Sequence, residues 1–222
     1  MTNNIVFTKS LATASANNIA TVQSPGAAAL TLNGTAVSGG IATIDTYNAS
    51  TNMGIGRRVI ITSGGNDTGI TWAVTGKNGS GNLVTDTFAG ANGGAAQSNL
   101  DFITVTKILP SAAVATTATA GTNGVGSSPW NSWNWYVSPP LNIGIAVEIV
   151  SGSVNYTVQY TYDDPNNLLA GSTYALPYNA TILTAQSTTL DSSIQLPIIA
   201  TRLLINSGTG VVRCRFLQDG IG

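Results

Sequence analysis

The chain contains no histidine, and this single absence removes a large part of enzymology. Ser-His-Asp and Cys-His catalysis are excluded, and so is the commonest zinc ligand. There is one cysteine, Cys214, so no intrachain disulfide forms and stability has to come from packing or oligomerisation. In VVRCRF its alternation places it with Val212 and Phe216, which reads as a buried free thiol. Glu148 is the only glutamate and lies inside the apolar run IAVEIV, so paired-carboxylate chemistry would have to use distant aspartates.

Charge is scarce as well. Charged residues make up 8% of the chain, against roughly 25% in ordinary soluble domains. The polar surface is therefore built from Thr, Ser, Asn, Gln and Gly, which suits a protein held in an assembly. No dense cationic face is present to neutralise nucleic-acid phosphates. The one basic doublet, Arg57-Arg58, opens a strand-like run and reads as a rim pair. No apolar run approaches the ~20 residues of a membrane-spanning helix. MTNNIVFTKSLATAS lacks the basic and apolar regions of a secretory leader. No cofactor is indicated, nor is a nucleic-acid or membrane partner.

What is present is strand alternation punctuated by Gly, Asn and Asp turns, with helical periodicity almost absent. Strands are expected at ALTLNG (29–34), GGIATIDTY (39–47), LVTDTF (83–88) and FITVTKIL (102–109). RRVIITSGGNDTGITWAVTG (57–76) predicts a hairpin about SGGND. KNGSGN (77–82) predicts the next turn. The glycines of GKNGSGN do not make a phosphate loop, because a strand follows where a helix is required. SVNYTVQYTYDD (153–164) is the cleanest strand. Val154, Tyr156, Val158, Tyr160 and Tyr162 share its inner face, and Asn155, Thr157, Gln159 and Thr161 the outer one. DDPNN then ends it: Asp163 and Asp164 read as turn caps, or as weak Ca²⁺ contributors with Asn166 and Asn167. PIIATRLLINSGTGVVRCRFLQDG (197–220) predicts a closing hairpin about SGTG. NYT (155–157) and NAT (179–181) match the glycosylation pattern by chance in an Asn/Thr-rich chain.

These patterns predict an all-β protein of two β-sandwich, jelly-roll-like domains in tandem. Residues 1–25 are weakly patterned and read as an N-terminal arm that orders against a neighbour. The first sandwich spans 26–125 and the second 126–222. The small-residue stretch 111–128 marks the boundary.

Three of the four tryptophans, Trp130, Trp133 and Trp135, crowd into GSSPWNSWNWYV. Trp133 and Trp135 have the i, i+2 spacing of one strand face, and Trp130 follows a proline at the strand start. Three uses stay open: intrachain core, a subunit or partner interface, or stacking against a glycan. Membrane-interface use has no basic amphipathic element to support it.

RRVIITSGGNDTGITWAVTGKNGSGNLVTDTFAGANGG, FITVTKI, GTNGVGSSPWNSW, SGSVNYTVQYTYDDPNN and the closing RLLINSGTGVVRCRFLQ together resemble small β-rich virion proteins of tailed bacteriophages and prophages. Residues 168–196 carry none of this resemblance. It implies a place in the virion, assembled in the host bacterial cytoplasm, and no enzymatic activity. The first expectation is a capsid decoration (cement) protein that bridges major-capsid subunits as a homo-oligomer, with Ile5, Val6, Phe7, Trp130, Trp133 and Trp135 as contacts. The alternatives are a tail component (adaptor, tube or fibre anchor) and a glycan-binding host-attachment module.

Overall fold

A computed structural model describes residues 3–45, 54–134, 141–168 and 174–218. The chain is all-β and divides into two compact units. One is Ala12–Gly126; the other joins Met1–Leu11 to Ser127–Gly222. The first strand, β1 (Asn3–Ser10), belongs to the second of these. The chain then forms β2 (Ser15–Gln23), β3 (Val37–Ser38), β4 (Ile41–Thr43), β5 (Arg57–Ser63), β6 (Thr71–Lys77), β7 (Leu83–Ala89), β8 (Ala95–Phe102), β9 (Thr104–Pro110) and β10 (Ala118–Thr122). It continues with β11 (Gly126–Ser127), β12 (Asn131–Ser132), β13 (Ile143–Ser151), β14 (Val154–Thr161), β15 (Tyr178–Asn179), β16 (Leu190–Ile194), β17 (Ala200–Gly208) and β18 (Val211–Gln218).

In unit Ala12–Gly126 one sheet has the order β2-β10-β5-β8 and the other β3-β4-β9-β6-β7. Their apolar faces meet in one core. Ile19, Val59, Ile61, Phe102 and Ala120 come from the first sheet, and Trp72, Val74, Val105 and Ile108 from the second. Period-two alternation explains this: β5 reads buried at every second residue and β6 likewise. The other unit is built the same way, from β1-β18-β13-β16 and β11-β17-β14-β15, with β12 also on β17. Its core holds Phe7, Ile143, Ile145, Tyr156, Val158, Leu203, Ile205, Cys214 and Phe216. Each unit is thus sandwich-like.

Several expectations are corrected here. Within the expected arm, Asn3–Ser10 and Ser15–Gln23 are strands paired inside this chain. β1 pairs antiparallel with β18 from Asn3↔Gln218 to Ser10↔Val211, and β2 pairs with β10 in the other unit. Their polar residues lie on exposed faces and edges, which hides the strand pattern. The two predicted hairpins are also not hairpins. β5 lies between β10 and β8 while β6 lies between β9 and β7, and β17 lies beside β14 while β18 lies beside β1 and β13. Each glycine-rich link carries the chain from one sheet to the other. Its backbone bonds go to neighbouring loops: Gly64 N donates to Thr117 O at 2.8 Å, and Thr209 N and Gly210 N both donate to Ser153 O at 3.1 Å. KNGSGN does close a hairpin, with Lys77 opposite Leu83 and Asn78 Oδ1 accepting from Ser80 N and Asn82 N.

β1, β2, β15 and β16 had no predicted counterpart, and neither did two strands of the Ala12–Gly126 unit. Ala95–Phe102 is polar and forms the edge strand β8, and FITVTKIL breaks at buried Ile103 between β8 and β9. Ala118–Thr122 forms β10, a central strand inside the small-residue stretch. Its residues are small because the chain is crowded there: a Cβ on Gly121 would lie 2.0 Å from Ser15 O. ALTLNG lies outside the strands, although Leu30 is buried and its N donates to Ile108 O at 2.9 Å.

Candidate functional site

The expected contact residues are mostly turned inward. Ile5 and Phe7 stand opposite Phe216 and Cys214 on the inner face of β1, and Phe7 is 2% exposed. Phe7 is thus spent in this chain's own core, and Ile5 is half-buried. Val6, on the other face, is 43% exposed. Trp133 is 3% exposed, donates its Nε1–H to Thr201 Oγ1 at 3.1 Å, and meets Phe216 edge-on at 6.1 Å. It is a satisfied core indole. Trp130 is half-buried beneath the Arg202 guanidinium, which lies 4.5 Å from the ring centroid. Arg202 is itself held by Gln159 Oε1 at 2.9 Å and Ser127 Oγ at 3.3 Å. Trp135 lies outside the described residues.

Arg57 is not a rim residue. It is 2% exposed and donates to Gly124 O at 2.7 Å and Ala12 O at 3.2 Å. Burial depresses its pKa, and the nearby Asp45 and Asp101 oppose that shift.

Seven of the nine acidic side chains engage backbone amides or arginines. Asp45 accepts from Ile55 N at 2.7 Å, and Asp67 from Ala115 N at 2.8 Å. Asp86 accepts from Asn99 N and Leu100 N. Asp163 accepts from Leu176 N at 2.7 Å, and Asp164 from Asn166 N at 2.9 Å, the expected turn-capping role. Asp101 lies 3.6 Å from Arg58. Glu148 contacts Arg213 at 3.0 Å and Arg215 at 3.7 Å. Among the described residues, no group of three or more His, Cys, Asp and Glu is placed to hold a metal ion.

The feature with open chemistry is a tyrosine-flanked groove in the unit that contains β14. β14 is buried on both faces through its middle: Tyr156 and Val158 on one side, Thr157, Gln159 and Thr161 on the other. Only at its end does the aromatic face emerge, with Tyr162 44% exposed. There Tyr160 stands directly opposite Tyr178 of β15. Their rings stack at 5.7 Å and 19°, and Tyr162 meets both edge-on at 5.7 and 5.4 Å. Burial, then the neighbouring Tyr162, holds the Tyr160 hydroxyl above its usual pKa, so it is a neutral phenol.

The groove runs from Tyr160 along Asn179–Ile182 to Ser192–Leu196 and has a volume of about 200 Å³. Its walls are fixed. Gln159 Nε2 donates to Asn179 Oδ1 at 2.9 Å, and Ala180 N donates to Val158 O. The 3-10 turn Thr181–Leu183 is anchored by fully buried Leu183. None of the lining residues is charged. Sequence reasoning missed this site because it placed Tyr160 and Tyr162 in the core and had no pattern for residues 168–196. The available signal was density: four of the seven tyrosines lie between 160 and 178.

The chain matches no protein-family model, no curated protein and no solved structure.

Proposed function

We propose that this chain is a non-enzymatic structural protein of a tailed-phage virion, a decoration protein that stabilises the head by bridging major-capsid subunits. One observation carries the structural, non-catalytic part of this reading. Seven of the nine acidic residues cap backbone amides or pair with arginines, so their charge is committed to holding loops and sheets together. The resemblance of the sequence to phage virion proteins supports the place. Of the residues expected to touch the shell, Val6 is available, on the outer face of the β1-β18-β13-β16 sheet beside Arg215 and near Leu217. A modest contact of this kind suffices when it is repeated over many linked sites.

The test is the copy number of the protein in purified virions, measured by quantitative densitometry against the major capsid protein. A stoichiometry in the hundreds, together with saturable binding to expanded empty heads, is the expected result. A copy number matching one small ring assigns the chain to the tail instead. Absence from virions refutes the reading.

A further inference from the structure

We infer that the groove between Tyr160 and Leu196 is a binding site for an uncharged carbohydrate. The inference is independent of any place in the virion. It rests on what the site offers a ligand and on what it withholds.

Tyr160 and Tyr178 form a stacked pair at one end, with Tyr178 42% exposed and Tyr162 bracing both edge-on. Such a cluster presents C–H-binding aromatic surface at low entropic cost, since each ring has few rotatable bonds and is held by its neighbours. The lining also includes residues whose side chains both donate and accept: Asn179, Gln195, Thr181, Ser192 and Ser193. Asn179 uses its Oδ1 to accept from Gln159, and its Nδ2 has no partner among the described residues. Ile182 and Leu196, 63% and 43% exposed, close the apolar sides.

A ligand that matches this lining has alternating apolar C–H faces and neutral hydroxyls, which is the chemistry of a sugar ring. An anionic or cationic ligand finds no counter-charge among the lining residues. β15 and β16 end their sheets beside the groove, but β15 is two residues long and gives an added peptide strand little backbone to pair with, whereas the side-chain amides and hydroxyls of the lining match a sugar. The volume of about 200 Å³ lies below the ~300–1,000 Å³ of sites for drug-sized ligands, so it fits one ring of a longer saccharide. The remaining exposed tyrosine surface serves the adjoining ring.

The experiment is an array of neutral oligosaccharides of glucose, galactose, mannose, rhamnose and N-acetylglucosamine, followed by calorimetric titration of each hit with the full-length protein. Binding is expected for at least one series. Tyr178→Ala and Asn179→Ala should each weaken it roughly tenfold, as expected for loss of an aromatic platform or of an amide donor. Leu83→Ser, on the exposed hairpin of the other unit, should leave it unchanged. Both groove positions are exposed, and an unchanged circular-dichroism spectrum shows that each variant folds. Absence of binding across the array overturns the proposal. So does binding that survives both groove substitutions. Concentration-dependent self-association in sedimentation velocity, abolished by Tyr178→Ala and unaccompanied by sugar binding, assigns the surface to a second copy of this chain and also overturns it.

Discussion

Arg57 gives the sharpest quantitative prediction. Its guanidinium is 2% exposed and donates to two carbonyls, Gly124 O and Ala12 O, that lie near the two places where the chain leaves the Ala12–Gly126 unit. Around it the backbone is close. Arg58 N donates to Val125 O at 3.1 Å, and a Cβ built on Gly126 would lie 2.8 Å from the Arg57 Cδ. Two substitutions separate the terms. Arg57→Met keeps the aliphatic stem and removes both charge-assisted bonds, each worth about 1.5–3 kcal/mol. It also removes the cost of keeping a cation out of water, which returns part of that loss. The net expectation is a destabilisation of roughly 2–4 kcal/mol. Arg57→Ala adds a cavity and reaches about 3–5 kcal/mol.

The assay is urea unfolding of the wild type and both variants, read with hydrogen exchange resolved by peptide. The loss should be local first, as faster exchange at residues 57–59 and 122–126, where the paired backbone depends on the clamp. The reasoning is refuted if Arg57→Met lies within about 0.5 kcal/mol of wild type, the range of an ordinary surface change. Protection unchanged at 122–126 would refute it equally.

Two further predictions concern strand contact and pH. Gly76→Ala places a Cβ 1.9 Å from Thr104 O at the register shift between β6 and β9; a loss of at least about 2 kcal/mol in urea midpoint-derived stability is expected, and a neutral result shows that the bulge can relax. Burial pushes the Cys214 thiol well above its ordinary value of about 9 and the Tyr156 phenol from 10.0 to about 12. Both groups ionise more easily when unfolded, so their contribution is complete below pH 9 and falls as pH rises through 9 and then 10. The slope reaches about 1.4 kcal/mol per pH unit for each group. Thermal unfolding between pH 7 and 11 should show this decline, with Cys214→Ala flattening its first part. Thiol labelling should be slow in the native protein and complete in guanidinium.

The alternation of VNYTVQYT, RLLIN and VVRCRF was sufficient to identify strands, and in VVRCRF the buried residues too, because burial on one face follows directly from a period of two; in VNYTVQYT it missed that Thr157, Gln159 and Thr161 are also covered. Cys214 beside Val212 and Phe216 was legible for that reason. Pairing was not. A glycine-rich link of a few residues can close a hairpin or pass the chain to a facing sheet, and the residues flanking SGGND and SGTG are equally apolar in both cases. The choice is made by distant partners, β8 and β10 for β5, and β1 and β13 for β18. Composition hid β10 as well, since Ala, Gly and Thr were selected by a close backbone approach that no local pattern records.

The sequence by itself determined that no site of this chain uses histidine or a disulfide: with no histidine and one thiol, Ser-His-Asp and Cys-His constellations cannot be assembled from it in any fold. Tertiary structure alone decided which aromatics are spent on the core and which are left for a ligand. Trp133 is buried because β12 pairs with β17 and brings the indole against Phe216 and Thr201. Tyr160 and Tyr178 are brought together because β15, the last strand of its sheet, pairs with the end of β14, where Tyr178 and the neighbouring Tyr162 stay exposed. Local alternation fixes which side of a strand a residue occupies, but only the packing of the rest of the chain fixes whether that side is covered.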